Sequence, residues 1–193
     1  MSLSSGFFMP NKSLLRLTYI ISLMLLFHAA TLYASEPPSV VVNYVDGAYT
    51  SNVSATINAK PDDIYRLLTS YDQLNAFSRL IKTSRLLPDQ NLLLRLKVCF
   101  AFICFDKQQT LALTISKHSI AGHIIPEHSD FKSGWMKWQL SGNNNMSVIQ
   151  FSSELTPDFW VPPIIGPLLI QYKLKREAQY SIQQLELLST KQI

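Results

Sequence analysis

The sequence predicts an α+β fold in which an antiparallel sheet packs on one long C-terminal helix. Apolar and polar residues alternate over residues 92–98 and 111–115, on either side of a short loop bracketed by Cys99 and Cys104, which is typical of a β-hairpin. Apolar residues then recur at helical spacing between Pro163 and Leu188. The predicted order is one strand, two short helices, six strands and the long helix.

Residues 1–35 have the pattern of a secretory signal peptide. Lys12 and Arg16 precede an apolar run over residues 17–27, and small residues lead to Ala34 before a Pro-containing break. An uncleaved membrane anchor is the alternative, but the run is shorter than the roughly 20 residues that a bilayer span needs. We expect cleavage near Ala34, although Leu32 is larger than such sites usually have. Export would place the chain where disulfides persist, in the periplasm of a Gram-negative bacterium or otherwise outside the cell.

The rest of the chain has the right length for one domain. About 160 residues remain after cleavage, and a domain of that size buries roughly two thirds of its unfolded surface. We divide them into a leader at residues 36–48 and one domain at residues 49–189. The net charge of the full sequence is only +4, so nucleic acid is not an expected partner. The sequence does not indicate an oligomeric state.

The first strand and two short helices follow the leader. Val53 and Ile57 share one parity over residues 49–59, as expected for a half-buried strand. Pro61 suits the first turn of a helix, and the acidic residues directly after it favour a helix N-terminus. A second short helix is predicted around residues 74–77.

Five of the six later strands can be placed. They run over residues 92–98, 111–115, 120–125, 134–140 and 147–155, and the segments PEHSDFKSG and SGNNN are turns between them. Leucines alternate with basic residues in the first of these strands, so one of its faces is apolar.

The long helix has an apolar stripe that must cover an apolar surface. Pro167 is tolerated only near a helix start, so the regular helix should begin close to it. The concave face of the sheet is the surface available to the stripe. The stripe is formed by Ile170, Leu174, Ala178, Ile182 and Leu185, and the opposite side by Lys173, Glu177 and Gln184.

Three segments, together with the order of elements, resemble a known superfamily. They are PDDIYRLLTSYDQLNAF after the first strand, SDFKSGWMKWQL in a late strand and VPPIIGPLLIQYKLKREA at the start of the last helix. They resemble the polyketide cyclase and lipid transport group of the START-like (SRPBCC, birch-pollen-allergen-like) superfamily, and especially bacterial members related to the coenzyme Q binding proteins. The resemblance implies a helix-grip fold, in which a curved antiparallel sheet wraps a long C-terminal helix and leaves a cavity for an apolar ligand.

Parity and helical spacing give the residues that would line such a cavity. Ala178 is small among large neighbours on its helix, which can either leave open volume or allow close packing on the sheet. The alternating leucines and isoleucines can likewise be ordinary core. The ligand-binding candidates are Leu94, Leu96, Val98, Leu111, Leu113, Ile115, Trp138, Phe151, Leu174, Ala178 and Ile182.

Two apolar loops are expected at the cavity mouth. The resemblance implies that the loop between the two central strands and the loop before the long helix lie at the same end. Contiguous exposed apolar surface tends to mark membrane or partner contact; the alternative is that the loops fold inward as a lid. The mouth candidates are Phe100, Phe102, Ile103, Phe159 and Trp160.

The two cysteines are best explained by a disulfide. In a cytosolic enzyme either Cys99 or Cys104 could be a nucleophile. After export, a bridge that staples the tip of the hairpin is the more economical interpretation.

Catalytic and metal sites leave little trace in the sequence. His118, His123 and His128 are spaced by five, so in an extended strand the middle one faces away from the others, which argues against a three-histidine metal site. We predict no cofactor.

The favoured function is an exported carrier of a lipid, quinone or similar apolar molecule, with transfer at a membrane surface. The alternative is a cyclase-like or dehydratase-like enzyme that acts on a polyketide-like or other cyclic substrate, for which His123 or Tyr172 would be the acid or base.

Overall fold

The computed structural model describes residues 37–100 and 103–190, with side chains for all of these except Phe100 and Ile103. The predicted signal peptide and Phe102 lie outside the described residues. The strands are β1 (Ser39–Val45), β2 (Ala48–Ile57), β3 (Ile81–Leu86), β4 (Leu92–Phe100), β5 (Ile103–Ser116), β6 (Ser119–Ile124), β7 (Phe131–Gly142) and β8 (Ser147–Pro157). The helices are α1 (Pro61–Thr69), a first 3₁₀ helix (Tyr71–Ala76), a second 3₁₀ helix (Pro126–His128) and α2 (Gly166–Thr190).

The eight strands of the described chain form one antiparallel sheet in the order β1-β2-β8-β7-β6-β5-β4-β3. Each strand from β3 to β7 pairs with the next one along the chain, β1 pairs with β2, and β2 joins the two parts of the sheet by pairing with β8. The sheet curves around α2, which also contacts α1. The prediction of an α+β helix-grip fold is therefore confirmed.

The strand predicted over residues 49–59 is the second strand of the sheet. β1 precedes it, within the segment that the sequence analysis assigns to a leader, and pairs with β2 from Val45↔Ala48 onwards. Asp46 and Gly47 form the two-residue turn between them with φ of 51° and 86°. An Asp-Gly turn with both φ values positive matches the twist of a hairpin. β3 is the sixth of the expected later strands, for which the sequence pattern indicates no position.

One end of the molecule, called here the closed end, is an ordinary apolar core. Ile64 of α1 and Leu185 of α2 are fully buried in one cluster with Ile57 of β2 and Ile149 of β8. Each such side chain contributes about 1.5–3 kcal/mol relative to exposure. Because this cluster holds α1, α2 and the sheet together at the closed end, open space between α2 and the sheet is left only beyond it.

Candidate functional site

A cavity of about 510 Å³ lies between the concave face of the sheet and α2. Its wall is formed by inward-facing residues of the strands, by α2, by the first 3₁₀ helix and by the loop before α2. Most of these side chains are aliphatic or aromatic, as is usual for sites that bind small molecules. Nine of the eleven predicted ligand-binding residues line it: Leu94, Leu96, Val98, Leu111, Trp138, Phe151, Leu174, Ala178 and Ile182.

The other two, Leu113 and Ile115, do not line the cavity, although they share a strand face with Leu111. β5 has 14 residues, and its second half runs past the cavity. There Leu113 packs on the core, while half of the Ile115 side chain is exposed. Parity along a strand identifies a face, but it does not say where on that face a cavity ends.

The first half of β5 contributes three residues that the sequence analysis does not include. Phe105, Lys107 and Gln109 line the cavity on the same strand face as Leu111. Residues 106–109 are all polar, so they show no alternation that would reveal their inward members. Their orientation could have been inferred from Leu111, because every second residue of a strand points to the same face, and counting back in twos from Leu111 leads to each of them.

The predicted disulfide between Cys99 and Cys104 is present in the structure. The two residues are directly paired at the hairpin end of β4 and β5. Their neighbours Val98 and Phe105 line the cavity, and successive side chains of a strand point to opposite faces. The bridge therefore lies on the outer face of the sheet, where it holds the hairpin without occupying the cavity.

The two described mouth candidates point in different directions. Phe159 is partly buried and packs edge-on against Phe131, with ring centroids 5.8 Å apart. Trp160 lines the cavity at its rim but is 79% exposed. The loop before α2 therefore contributes one aromatic residue to the interior and one to the surface. Further exposed apolar side chains follow Trp160 along the chain: Ile164, Ile165, Leu168 and Leu169.

Glu177 is placed by the structure on the cavity wall, which corrects its assignment to the side of α2 opposite the apolar stripe. Its carboxylate is only 12% exposed. It accepts hydrogen bonds from the Ser78 hydroxyl at 2.6 Å and from the backbone N–H groups of Arg79 at 2.7 Å and Leu80 at 3.3 Å. The helical wheel does not reveal this, because the loop after the first 3₁₀ helix covers that side of α2. Lys173, one turn earlier and assigned to the same side, also lines the cavity.

Lys107 is held close to the loop before α2. Its ammonium lies 3.7 Å from a carboxylate oxygen of Asp130 and 4.3 Å from the centroid of the Phe159 ring. The other carboxylate oxygen of Asp130 accepts a hydrogen bond from the backbone N–H of Gln108 at 2.7 Å. The charge of Lys107 is thus balanced by a carboxylate and an aromatic face within the protein.

Two tyrosines bring hydroxyl groups to the cavity wall. Tyr49 and Tyr71 both line the cavity, and their buried hydroxyls have no hydrogen-bond partner among the described residues. Burial, with a smaller contribution from Tyr44, raises the pKa of Tyr49 to about 12. Burial also raises the pKa of Tyr71. Both phenols therefore stay protonated and neutral at ordinary pH.

The residues considered as acid or base for an enzyme lie outside the cavity. His123 is exposed on β6, and its strand neighbours Ile124 and Gly122 flank it on the other face. Tyr172 is 61% exposed and faces a shallow groove beside β1. Over residues 37–100 and 103–190, no three His, Cys, Asp or Glu side chains are grouped as a metal site requires.

His118 forms a polar contact with a residue that, like itself, does not line the cavity. Its Nε2 lies 2.6 Å from a carboxylate oxygen of Asp62 at the start of α1. This hydrogen bond lowers the pKa of Asp62. The contact joins the turn between β5 and β6 to α1.

The part of the chain that the structure describes has no helix with the length and apolar character of a membrane span.

Comparisons with known proteins identify the fold. No family model and no curated protein matches the chain. Among solved structures, a START superfamily protein from Mycobacterium smegmatis is 12% identical with a TM-score of 0.60, covering 75% of this chain and 99% of that one. An aromatase/cyclase from Streptomyces sp. R1128 is 10% identical with a TM-score of 0.61, covering 75% and 95%. A STAR-related lipid transfer protein from Xanthomonas axonopodis is 13% identical with a TM-score of 0.59, covering 78% and 92%.

These similarities confirm that the chain has the START-like fold. At such low identities they concern the fold and not the activity, because one fold supports many functions.

Proposed function

We propose that this protein is a carrier that holds an apolar small molecule, such as a lipid or quinone, in the cavity between the sheet and α2. The observation that carries the proposal is the cavity of about 510 Å³ with its mainly apolar wall. Burial of apolar ligand surface there would supply about 25 cal/mol per Å². A lipid transfer protein among the similar structures is consistent with this use of the fold.

We further propose that the carrier exchanges its ligand at a membrane surface. Trp160 lines the cavity and is 79% exposed, and Ile164, four residues later in the same loop, is 83% exposed. Exposed apolar surface of this kind tends to mark a contact site. Lys175 and Arg176 are exposed further along α2, about three turns beyond Ile164, where they would favour a surface with anionic lipids.

We also propose that the chain is exported and cleaved near Ala34. The apolar run after Lys12 and Arg16 supports a signal peptide. The Cys99–Cys104 disulfide supports an oxidising compartment.

Native mass spectrometry of the protein purified from its natural compartment tests the carrier and export proposals together. We expect an intact mass that corresponds to a chain beginning near Ser35, and an additional mass from a bound apolar molecule. Ala178 lines the cavity, so Ala178→Trp should remove the bound mass while the protein still folds.

Matched controls separate these outcomes. Ala112 is exposed on β5, and Ala112→Trp should retain the bound molecule. Ligand retained in Ala178→Trp would count against this cavity as the binding site. A full-length mass in the membrane fraction would contradict cleavage. The carrier proposal would then be judged only by whether a bound apolar molecule is found.

A further inference from the structure

The cavity wall contains a group of buried polar side chains without partners, which an apolar ligand alone does not explain. Ser51, Gln109 and Ser153 each line the cavity and are only 7% exposed. Their side chains make no hydrogen bond to any residue in the described part of the chain. A purely apolar molecule would be held as well or better by alanine or valine at these positions, since a buried polar group without a partner costs stability.

Three buried hydroxyls away from the cavity contrast with these side chains. The hydroxyl of Ser147 donates to the carbonyl oxygen of Ala59 at 2.6 Å, and that of Thr110 donates to His128 at 2.8 Å. Ser189 donates to the carbonyl oxygen of Glu186 one helical turn earlier, at 2.8 Å. The pairing is not uniform: the Ser84 hydroxyl on β3 lacks a partner among the described residues although it does not line the cavity, and Ser78 at the cavity wall donates to Glu177. Ser51, Gln109 and Ser153 stand out because they combine burial, a place on the cavity wall and the absence of a side-chain partner in the described chain.

Ser51 and Ser153 form the most compact part of this polar wall. They are direct cross-strand partners on β2 and β8, so their side chains are neighbours on the concave face. Tyr49 lies one inward position before Ser51 on β2, and its buried hydroxyl also lacks a partner among the described residues. Three hydroxyl groups that can donate or accept thus lie along one strip of β2 and β8.

This strip contains no charged side chain. The charged residues of the cavity wall are Lys107, Lys173 and Glu177, which belong to β5 and α2. Lys107 is paired with Asp130 and covered by Phe159, while Glu177 is bound by the loop after the first 3₁₀ helix. An ion placed against serine hydroxyls alone would lose its hydration without gaining a counter-charge. The strip suits an uncharged polar group.

We propose that the ligand is an apolar molecule that carries an uncharged carbonyl or hydroxyl group, and that Ser51 and Ser153 bind this group. The inference rests on the proposed carrier function and names the class of ligand. A few polar groups in an otherwise apolar site are what fixes the orientation of a bound molecule. Molecules whose only polar group is a carboxylate or phosphate are selected against.

The test compares four probes of equal chain length: decane, decanol, decanone and decanoate. Each competes at neutral pH with the fluorescent apolar dye N-phenylnaphthylamine for the ligand-free mature protein. We expect decanol and decanone to bind about tenfold more tightly than decane and decanoate, as one or two well-placed hydrogen bonds would give. In Ser51→Ala/Ser153→Ala this preference should disappear, with the affinity for decane unchanged.

Two control variants show whether the effect belongs to the strip. Ser152 directly precedes Ser153 on β8, faces outward and donates to the side chain of Asn52 at 2.9 Å. Ser152→Ala should therefore keep the preference for decanol and decanone. Thermal unfolding without ligand should be equal or higher in Ser51→Ala/Ser153→Ala, because hydroxyls without partners are removed. It should be lower in Ser147→Ala, which breaks a buried hydrogen bond.

The outcomes separate this inference from the carrier proposal. Equal affinities of decane and decanol, tightest binding of decanoate, or a preference that survives in Ser51→Ala/Ser153→Ala would each overturn the inference while leaving a carrier. Failure of the dye and all four probes to bind would overturn the carrier proposal and the inference with it.

Discussion

Glu177 joins α2 to the loop that follows the first 3₁₀ helix and so fixes one side of the cavity. Its carboxylate accepts three hydrogen bonds from that loop, and the guanidinium of Arg79 lies 3.6 Å away. The same guanidinium stacks 4.0 Å above the centroid of the Tyr180 ring, one turn further along α2. A carboxylate that is 12% exposed and satisfied in this way stabilises the loop on the helix, and with it the cavity wall.

Replacing Glu177 should therefore loosen this side of the cavity. Glu177→Gln keeps the shape but removes the negative charge, so the free energy of unfolding should fall by about 1–2 kcal/mol, since hydrogen bonds to charged groups are stronger than neutral ones. Urea denaturation measures the change. Glu127 is exposed on the second 3₁₀ helix, so Glu127→Gln is the matched control and should have little effect. Equal stability of Glu177→Gln and the unmodified protein would show that the loop is held by its other contacts.

At the scale of elements, the sequence predicted those whose pattern repeats. α2 begins near Pro167 as expected, and the apolar alternation of β4 gave three of the cavity residues. β1 was missed although Asp46-Gly47 is a strong hairpin signal, because its strand stands just after the predicted signal peptide. Gln109 and Glu177 were missed for a different reason. Their inward positions depend on register and on a covering loop, which come from tertiary packing and not from local periodicity.

The two strands of the β4–β5 hairpin are joined by the Cys99–Cys104 disulfide as well as by backbone hydrogen bonds. Cys99 and Cys104 close a loop of about six residues, which in the chain-entropy model stabilises the fold by on the order of 2 kcal/mol. Cys104→Ala should lower the unfolding free energy by about that amount without preventing folding. Because the bridge lies on the outer face of the sheet, affinity for an apolar dye should change little.

Thiol counting provides the direct check on this hairpin. The purified protein, denatured without reductant, should contain no titratable thiol, and after reduction it should contain two. The double variant Cys99→Ala/Cys104→Ala controls for an unpaired thiol left by the single change. Two free thiols before reduction would contradict the bridge in solution.

At the scale of the whole described domain, the two ends differ in a way that suits exchange of a ligand. The closed end is filled by Ile57, Ile64, Ile149 and Leu185, whereas the other end carries the cavity rim and its exposed apolar residues. A ligand that leaves through the rim would pass directly from the cavity wall to the exposed surface around Trp160. The cost of exposing it to water is avoided if that surface is in contact with a membrane.

Substitution of the exposed apolar residues near the rim tests whether this end of the domain binds a membrane. Trp160→Asp/Ile164→Asp should reduce binding to vesicles of phosphatidylethanolamine and phosphatidylglycerol by at least about tenfold, because it replaces two apolar side chains, each worth on the order of 1.5–3 kcal/mol when buried, by charges. Both side chains are almost fully exposed in the described structure, so thermal stability should remain nearly unchanged. Met146→Asp/Leu187→Asp is the matched control, since these exposed apolar residues lie away from the rim. Sedimentation with vesicles measures binding, and added salt should weaken it if Lys175 and Arg176 contribute. A large loss of stability in Trp160→Asp/Ile164→Asp, or equal loss of binding in the control, would contradict docking through the rim.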